Sequence, residues 1–165
     1  MAKDSSFDVV SEVDMQEVDN AYQQTIKEMV QRYDLKDSGA TIEFSKAEKT
    51  FTLHAPSDFI ARQVIDVLNT KLVRRQIDLK AVSWGNTEAA SGMTVRIIGK
   101  IVMGIEMELA KKISKDVRDE KFKAKVQIEG DKLRISAAVR DELQRVIAFL
   151  KDKDYGIPLQ FTNYR

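Results

Sequence analysis

Apolar residues Phe122, Ala124, Val126 and Ile128 alternate with Lys123, Lys125, Gln127 and Glu129, the period of a half-buried strand. Gly130-Asp131 supplies turn chemistry, because glycine tolerates a left-handed backbone. Lys132, Arg134 and Ser136 then alternate with Leu133 and Ile135, after which Leu143, Val146, Ile147 and Leu150 recur at helical spacing. The pattern predicts strand, turn, strand, helix. The same unit occurs upstream: Ile42 and Phe44, a turn at Ser45 to Lys49, Phe51 and Leu53, then a helix with Ile60, Val64, Val67, Leu68 and Leu72 on one face. A shift of 82 residues lays Phe51 and Leu53 on Leu133 and Ile135, and Val64, Ile65 and Leu68 on Val146, Ile147 and Leu150. A shift of 87 lays Val18, Tyr22, Ile26 and Val30 on Ile105, Leu109, Ile113 and Val117. Six matched elements in one order predict a tandem duplication.

Taken in order, Ser6 to Val13 reads as a strand with Phe7, Val9, Ser11 and Val13 on one face and Asp8, Val10 and Glu12 on the other. Asp14 is placed to cap a helix to about Tyr33, with Glu17 completing a capping-box arrangement. Pro56 opens a second helix ending in Lys71, Arg74 and Arg75, and Ile77 to Trp84 reads as a strand. Gly85 to Gly92 is small, polar and aperiodic, so it is the candidate linker. Met93 to Lys100 is expected as a strand, Ile105 to about Val117 as a helix, and Pro158 to Tyr164 as the last strand. Each repeat reads β-α-β-β-α-β, so the fold class is α+β: two ferredoxin-like domains in tandem, with antiparallel sheets, divided as residues 1–88 and 89–165.

Composition narrows the chemistry. There is no cysteine and one histidine, His54, which leaves no disulfide, thiolate or ordinary zinc constellation. The start Met1-Ala2-Lys3-Asp4 begins no apolar signal core and no apolar run reaches membrane-spanning length, so a cytoplasmic protein without a membrane partner is expected. Net charge is only +1, yet residues 1–90 hold 11 Lys/Arg against 15 Asp/Glu, and residues 91–165 hold 16 against 11. An anionic partner is therefore expected on the second half. Neither G-x-x-x-x-G-K-[ST] nor G-x-G-x-x-G is present; Gly99-Lys100 is followed by Ile101. No enzyme and no cofactor are expected.

With Leu133 and Ile135 turned inward, Lys123, Lys125, Gln127, Lys132 and Arg134 turn outward on adjacent strands. Cations placed side by side repel, and a phosphate would relieve that repulsion, with Arg134 gripping as a fork and the lysines acting as point charges. Their substitution is expected to leave stability unchanged, since they alternate away from the apolar set. Lys71, Arg74 and Arg75 form a second candidate phosphate cluster, although cations at a helix C-terminus are explained by the helix dipole alone. Lys111, Lys112, Lys115 and Arg118 read as a solvated helix face. The outward positions of the inner strand hold no aromatic, unlike RNA-recognition motifs, so any nucleic-acid binding should be phosphate-led and weakly sequence-specific.

The strings SFDVVSEVDMQEVDNA from Ser6, SDF from Ser57, VQIEGDKLRI from Val126, RDELQ from Arg140 and PLQFTNYR from Pro158 together resemble the YajQ family of bacterial nucleotide-binding proteins over essentially the whole chain. Lys3-Asp4-Ser5 precedes that signature as an addition. The resemblance implies two ferredoxin-like domains whose first strands are exchanged. It implies nucleotide ligands, with cyclic di-GMP, GTP or ATP, and RNA as the classes, and a signalling role through a partner such as a transcription regulator. The alternative is a protein-interaction adaptor or a weak, nonspecific RNA binder.

Overall fold

The computed structural model describes residues 4–165; the reading of residues 1–3 lies outside the described residues. In chain order the elements are β1 (Ser5–Val10), α1 (Met15–Gln31), β2 (Thr41–Ser45), β3 (Thr50–Ala55), α2 (Asp58–Arg74), β4 (Val82–Trp84), β5 (Glu88–Ala90), β6 (Thr94–Ile101), α3 (Met107–Asp119), β7 (Lys125–Glu129), β8 (Lys132–Ala137), α4 (Arg140–Asp152) and β9 (Gln160–Thr162). They form two antiparallel sheets, ordered β7-β8-β1-β9 and β2-β3-β6-β4, with β5 pairing further along β6. This is an α+β fold of four helices and two sheets, compatible with two ferredoxin-like domains. The chain divides into two compact units, Val13–Val102 and the residues up to Glu12 joined with Met103–Arg165. The first of these is one contiguous stretch and the second is built from two segments: β1 lies in the sheet of β7, β8 and β9, and β6 in the sheet of β2, β3 and β4. No helix among the described residues is long and apolar enough to cross a membrane.

In the Val13–Val102 unit, Phe51, Leu53 and Ile97 point inward from β3 and β6 and are fully buried beneath Val18 and Ala21 of α1 and Val64, Leu68 and Leu72 of α2. The Asp14 carboxylate caps α1, accepting from the Gln16 and Glu17 backbone N–H groups at 3.0 and 3.3 Å. Glu17 does not fold back on the cap as the capping box required; its carboxylate meets Arg75 at 3.0 Å. Ser57, one residue beyond Pro56, caps α2 by accepting from the Ile60 N–H at 3.2 Å. The expected strand from Ile77 shortens to Val82–Trp84, because Leu79–Ala81 winds a 3-10 turn capped by the Asp78 carboxylate. Gly85 to Gly92 is not a free linker: the Gly85 N–H donates to the Ile98 carbonyl at 2.8 Å and Glu88–Ala90 pairs with β6. A three-residue edge strand is held by backbone bonds, so its side chains need show no alternation.

In the other unit, Phe7 and Val9 of β1 and Leu133 and Ile135 of β8 are fully buried under Ala110, Ile113 and Val117 of α3 and Val146 and Leu150 of α4. The helix expected from Ile105 begins at Met107, since the Ile105 N–H is taken by the Asp131 carbonyl at 2.9 Å and its side chain packs in the core. The last strand is shorter than Pro158 to Tyr164. Asn163 takes φ +57°, and Arg165 beyond it exchanges two backbone bonds with Ser6. Asp8 is paired with Thr162. Asn163 and Tyr164 thus oppose Phe7 alone, which makes a β-bulge.

Candidate functional site

Strand register decides which side chains share the open face of the β7-β8-β1-β9 sheet. Lys125 stands opposite Ser136, Gln127 opposite Arg134 and Glu129 opposite Lys132. On the far side of β8, Ser6 is opposite Ser136 and Asp8 opposite Arg134. The central row across the sheet is therefore Gln127, Arg134, Asp8 and Thr162. The five residues read from sequence share this region, with two corrections. Lys123 precedes β7, and its backbone N–H donates to the Glu142 carboxylate at 3.4 Å. No two of the cations are cross-strand partners; each has a serine, a glutamine or an acid beside it.

Asp8 changes the electrostatics. Its side chain is 3% exposed and lies between Lys132 and Arg134. The Arg134 Nε donates to Asp8 Oδ1 at 3.2 Å, the Lys132 Nζ to Oδ2 at 3.3 Å and the Asn163 Nδ2 to Oδ2 at 2.8 Å. Burial pushes the Asp8 carboxyl upward, but the hydrogen bonds from Asn163, Arg134 and Lys132 outweigh it and hold the group below the ordinary aspartate value. Arg134 also lies 3.8 Å from Glu129. The repulsion expected to call for a phosphate is thus already relieved from within. Three cations and two acids leave the face modestly positive rather than strongly basic. Lys125 and Gln127 are exposed, and Lys132 and Arg134 are half-buried, with side chains 37% and 27% exposed. Among the described residues none of the outward strand positions Ser6, Asp8, Val10, Lys125, Gln127, Glu129, Lys132, Arg134, Ser136, Gln160 and Thr162 is aromatic, and Arg134 supplies a planar guanidinium there.

Asp8 and Asn163 are absent from the residues that the sequence singles out as a site. The signal for Asp8 was an acid set between buried Phe7 and Val9 on the strand's other face. Asn163 gave none, because the bulge that aims it arises from pairing with Ser6 and Asp8.

The second cluster disperses into helix-helix contacts. Lys71 Nζ meets Glu28 at 2.8 Å with a side chain 12% exposed, and Arg75 meets Glu17. The Lys71 ammonium, more than the burial opposing it, sets the Glu28 carboxyl below its usual value. Of the three, Arg74 is exposed, and Lys71 and Arg75 are half-buried. Lys111, Lys112, Lys115 and Arg118 are all exposed along α3. His54 is half-buried on the open face of the other sheet, opposite Thr41 and Arg96. Trp84 faces inward, stacked on Phe51 at 6.1 Å between centroids, and its role is packing. Among the described residues no group of three or more His, Asp or Glu side chains could hold a metal ion.

The chain is thus an α+β protein whose β7-β8-β1-β9 sheet presents a polar, cation-bearing open face. Residues 5–165 match the family described as "Nucleotide-binding protein YajQ-like", and the chain belongs to that family. Among its relatives, a "Nucleotide-binding protein" of Nocardia farcinica is 53% identical over 163 residues, covering 98% of this chain and 99% of that one. One of Acidithiobacillus ferrooxidans is 49% identical over 160 residues, covering 97% and 98%. One of Desulfitobacterium hafniense is 47% identical over 165 residues, covering both chains fully.

Proposed function

We propose that the chain is a non-enzymatic binder of phosphate-bearing nucleotides, docking its ligand on the open face of the β7-β8-β1-β9 sheet. The observation that carries this is the Asp8 network: it fixes the half-exposed Lys132 and Arg134 in place beside exposed Lys125 and Gln127. Side chains already ordered lose less rotamer freedom when a ligand arrives. Arg134 and Lys125 serve a phosphate, the Arg134 plane offers a stacking surface, and Gln127 can pair with a base edge. Lys123 sits at the margin, and Lys71, Arg74 and Arg75 take no part. A modestly positive face suits a cyclic dinucleotide such as cyclic di-GMP, a GTP or ATP molecule, or a short RNA bound without strong sequence preference.

The two units are read as copies of one β-α-β-β-α-β unit whose first strands are exchanged. The buried pairs Phe51 with Leu53 and Leu133 with Ile135, at matching positions of β3 and β8, support that reading. Residence in the cytoplasm rests on the sequence, in which no apolar run reaches membrane-spanning length, and an output through a transcription regulator rests on the family resemblance. The near-balance of charge on the face favours one other reading, a protein-interaction adaptor. Calorimetry with cyclic di-GMP, GTP and a short RNA separates the two: heat from one of the three supports nucleotide binding, and none alongside a tight protein partner supports the adaptor. Incubation with Mg²⁺ tests the non-enzymatic part, for which every ligand must be recovered unchanged.

A further inference from the structure

The β2-β3-β6-β4 sheet has an open face of its own, and β6 brings to it a residue that the first hairpin lacks. Ser45 is opposite Thr50, Thr50 opposite Lys100, and Lys100 opposite Ser83. Phe51 and Gly99, the next pair inward, face the core, so this row faces away from it. Four strands thus present hydroxyl, hydroxyl, ammonium and hydroxyl in one line. Lys100 and Ser83 are exposed, and Ser45 and Thr50 are half-buried.

These donors are free. Among the described residues the Lys100 ammonium has no ion-pair partner, and the Thr50 and Ser83 hydroxyls have no hydrogen-bond partner. Ser45 Oγ accepts from the Glu48 N–H at 3.2 Å and keeps its own hydroxyl proton to donate. The acids of the face lie elsewhere: Glu43 is one row away opposite Thr52, and Glu88 is bonded to Arg96 at 2.7 Å two rows away. The turn between β2 and β3 adds Lys46 and Lys49, with Glu48, at the same end of the sheet, docked by the Ile101 N–H donating to the Lys49 carbonyl at 2.8 Å. Strand propensity accounts for the threonines. It does not account for a lysine in an inner strand, with hydroxyls on both sides and no acid beside it. Arg134, in the other sheet, is held by Asp8.

We infer that this row is a second phosphoryl-binding site, with the Lys100 ammonium as the charge and the Thr50, Ser83 and Ser45 hydroxyls as directed donors. One cation and three neutral donors match the acceptor-rich oxygens of a phosphoryl group. The site shares no residue with the Arg134 face and stands whether or not that face binds. Its ligand is a phosphoryl group, carried either on a free terminal phosphate or on a nucleic-acid backbone.

Amide NMR titration of the full chain with inorganic pyrophosphate and, separately, with octauridylate tests it. The Thr50, Ser83 and Lys100 amides should shift with at least one probe; pyrophosphate alone marks a terminal phosphate, and octauridylate a backbone phosphodiester. Lys100→Gln should weaken saturation of these amides roughly tenfold while the melting temperature stays put. With octauridylate, its salt slope should fall by about 1. Thr50→Val should weaken it less. The inference is overturned if these amides are silent to both probes, or shift alike in wild type and Lys100→Gln. Shifts confined to Lys125, Gln127 and Arg134 would overturn it and leave the first face intact.

Discussion

At Arg134 the same side chain is asked to do two things, and the geometry sets what its removal costs. The sequence pattern alone makes an outward arginine dispensable for stability. Its bond to Asp8, whose carboxylate is 3% exposed, makes that expectation too simple. Arg134→Ala leaves Asp8 with Lys132 and Asn163 only, and should lower stability by about 1–2 kcal/mol, as the loss of one partner of a buried acceptor does. Lys125→Ala, which has no such partner in the network, should leave the melt within about 0.5 kcal/mol. Chemical denaturation of the two variants checks this. Asp8 gives a pH signature as well. Its pKa is lowered in the folded protein, so the folded state binds fewer protons than the unfolded state near the ordinary value of about 3.9. The associated stability is fully present above that value and is lost as pH falls through the lower, folded one. Asp8→Asn should therefore melt below wild type at pH 6, and the gap should narrow below about pH 4. A gap that is constant with pH would show that the carboxylate is not the source.

At the scale of elements, close packing explains what hydrophobic period could not. Trp84 on β4 lies over Gly99 of β6, where an added Cβ would stand 2.8 Å from the indole ring. The glycine is a seat for the ring, and β4 is held by that contact as well as by its few backbone bonds. Gly99→Ala should cost about 1–3 kcal/mol and shift the emission of Trp84, the sole tryptophan. An unchanged melt and spectrum would mean the edge strand is free to move. Strands with alternating apolar residues were legible in the sequence: β3 and β8 show Phe51, Leu53, Leu133 and Ile135 in period two, and all four are buried. Strand β5, Glu88-Ala89-Ala90, was not legible, because its pairing to β6 runs through backbone groups that carry no sequence pattern. The helix pair is tied by Lys71 to Glu28 and Arg75 to Glu17, contacts between residues 43 and 58 positions apart that no local reading of the basic cluster could supply.

At the scale of the sheets, one inner strand comes from the far end of the sequence and the other from the middle of the chain. β1 pairs with β8 across more than 120 residues, and β6 lies between β3 and β4. That distance is also why half the candidate site was invisible: Asp8 and Arg134 are 126 positions apart, and only pairing in one sheet makes them neighbours. Periodicity found the cations of β7 and β8 and set Asp8 on the outward face of β1, but nothing local could make Asp8 their counter-ion. Expressed separately, residues 1–90 lack β6 and residues 91–165 lack β1, which leaves each sheet open where an inner strand should be. Each fragment should melt with poor cooperativity, and mixing the two should restore a sharp transition. Two fragments that each melt sharply alone would contradict the importance of these strands.

The claim that most needs a direct test is that nucleotide phosphate rests on Arg134 and Lys125. Calorimetry of cyclic di-GMP, GTP and a short RNA should be run on wild type and on the Lys125→Ala/Arg134→Ala variant, well below the melting temperature of both. Wild type should bind at least one of the three, more weakly as salt rises. The variant should lose roughly tenfold to a hundredfold in affinity for that ligand, as the loss of charged hydrogen bonds predicts, while remaining folded. No binding by wild type, or equal affinity in the folded variant, would contradict the account.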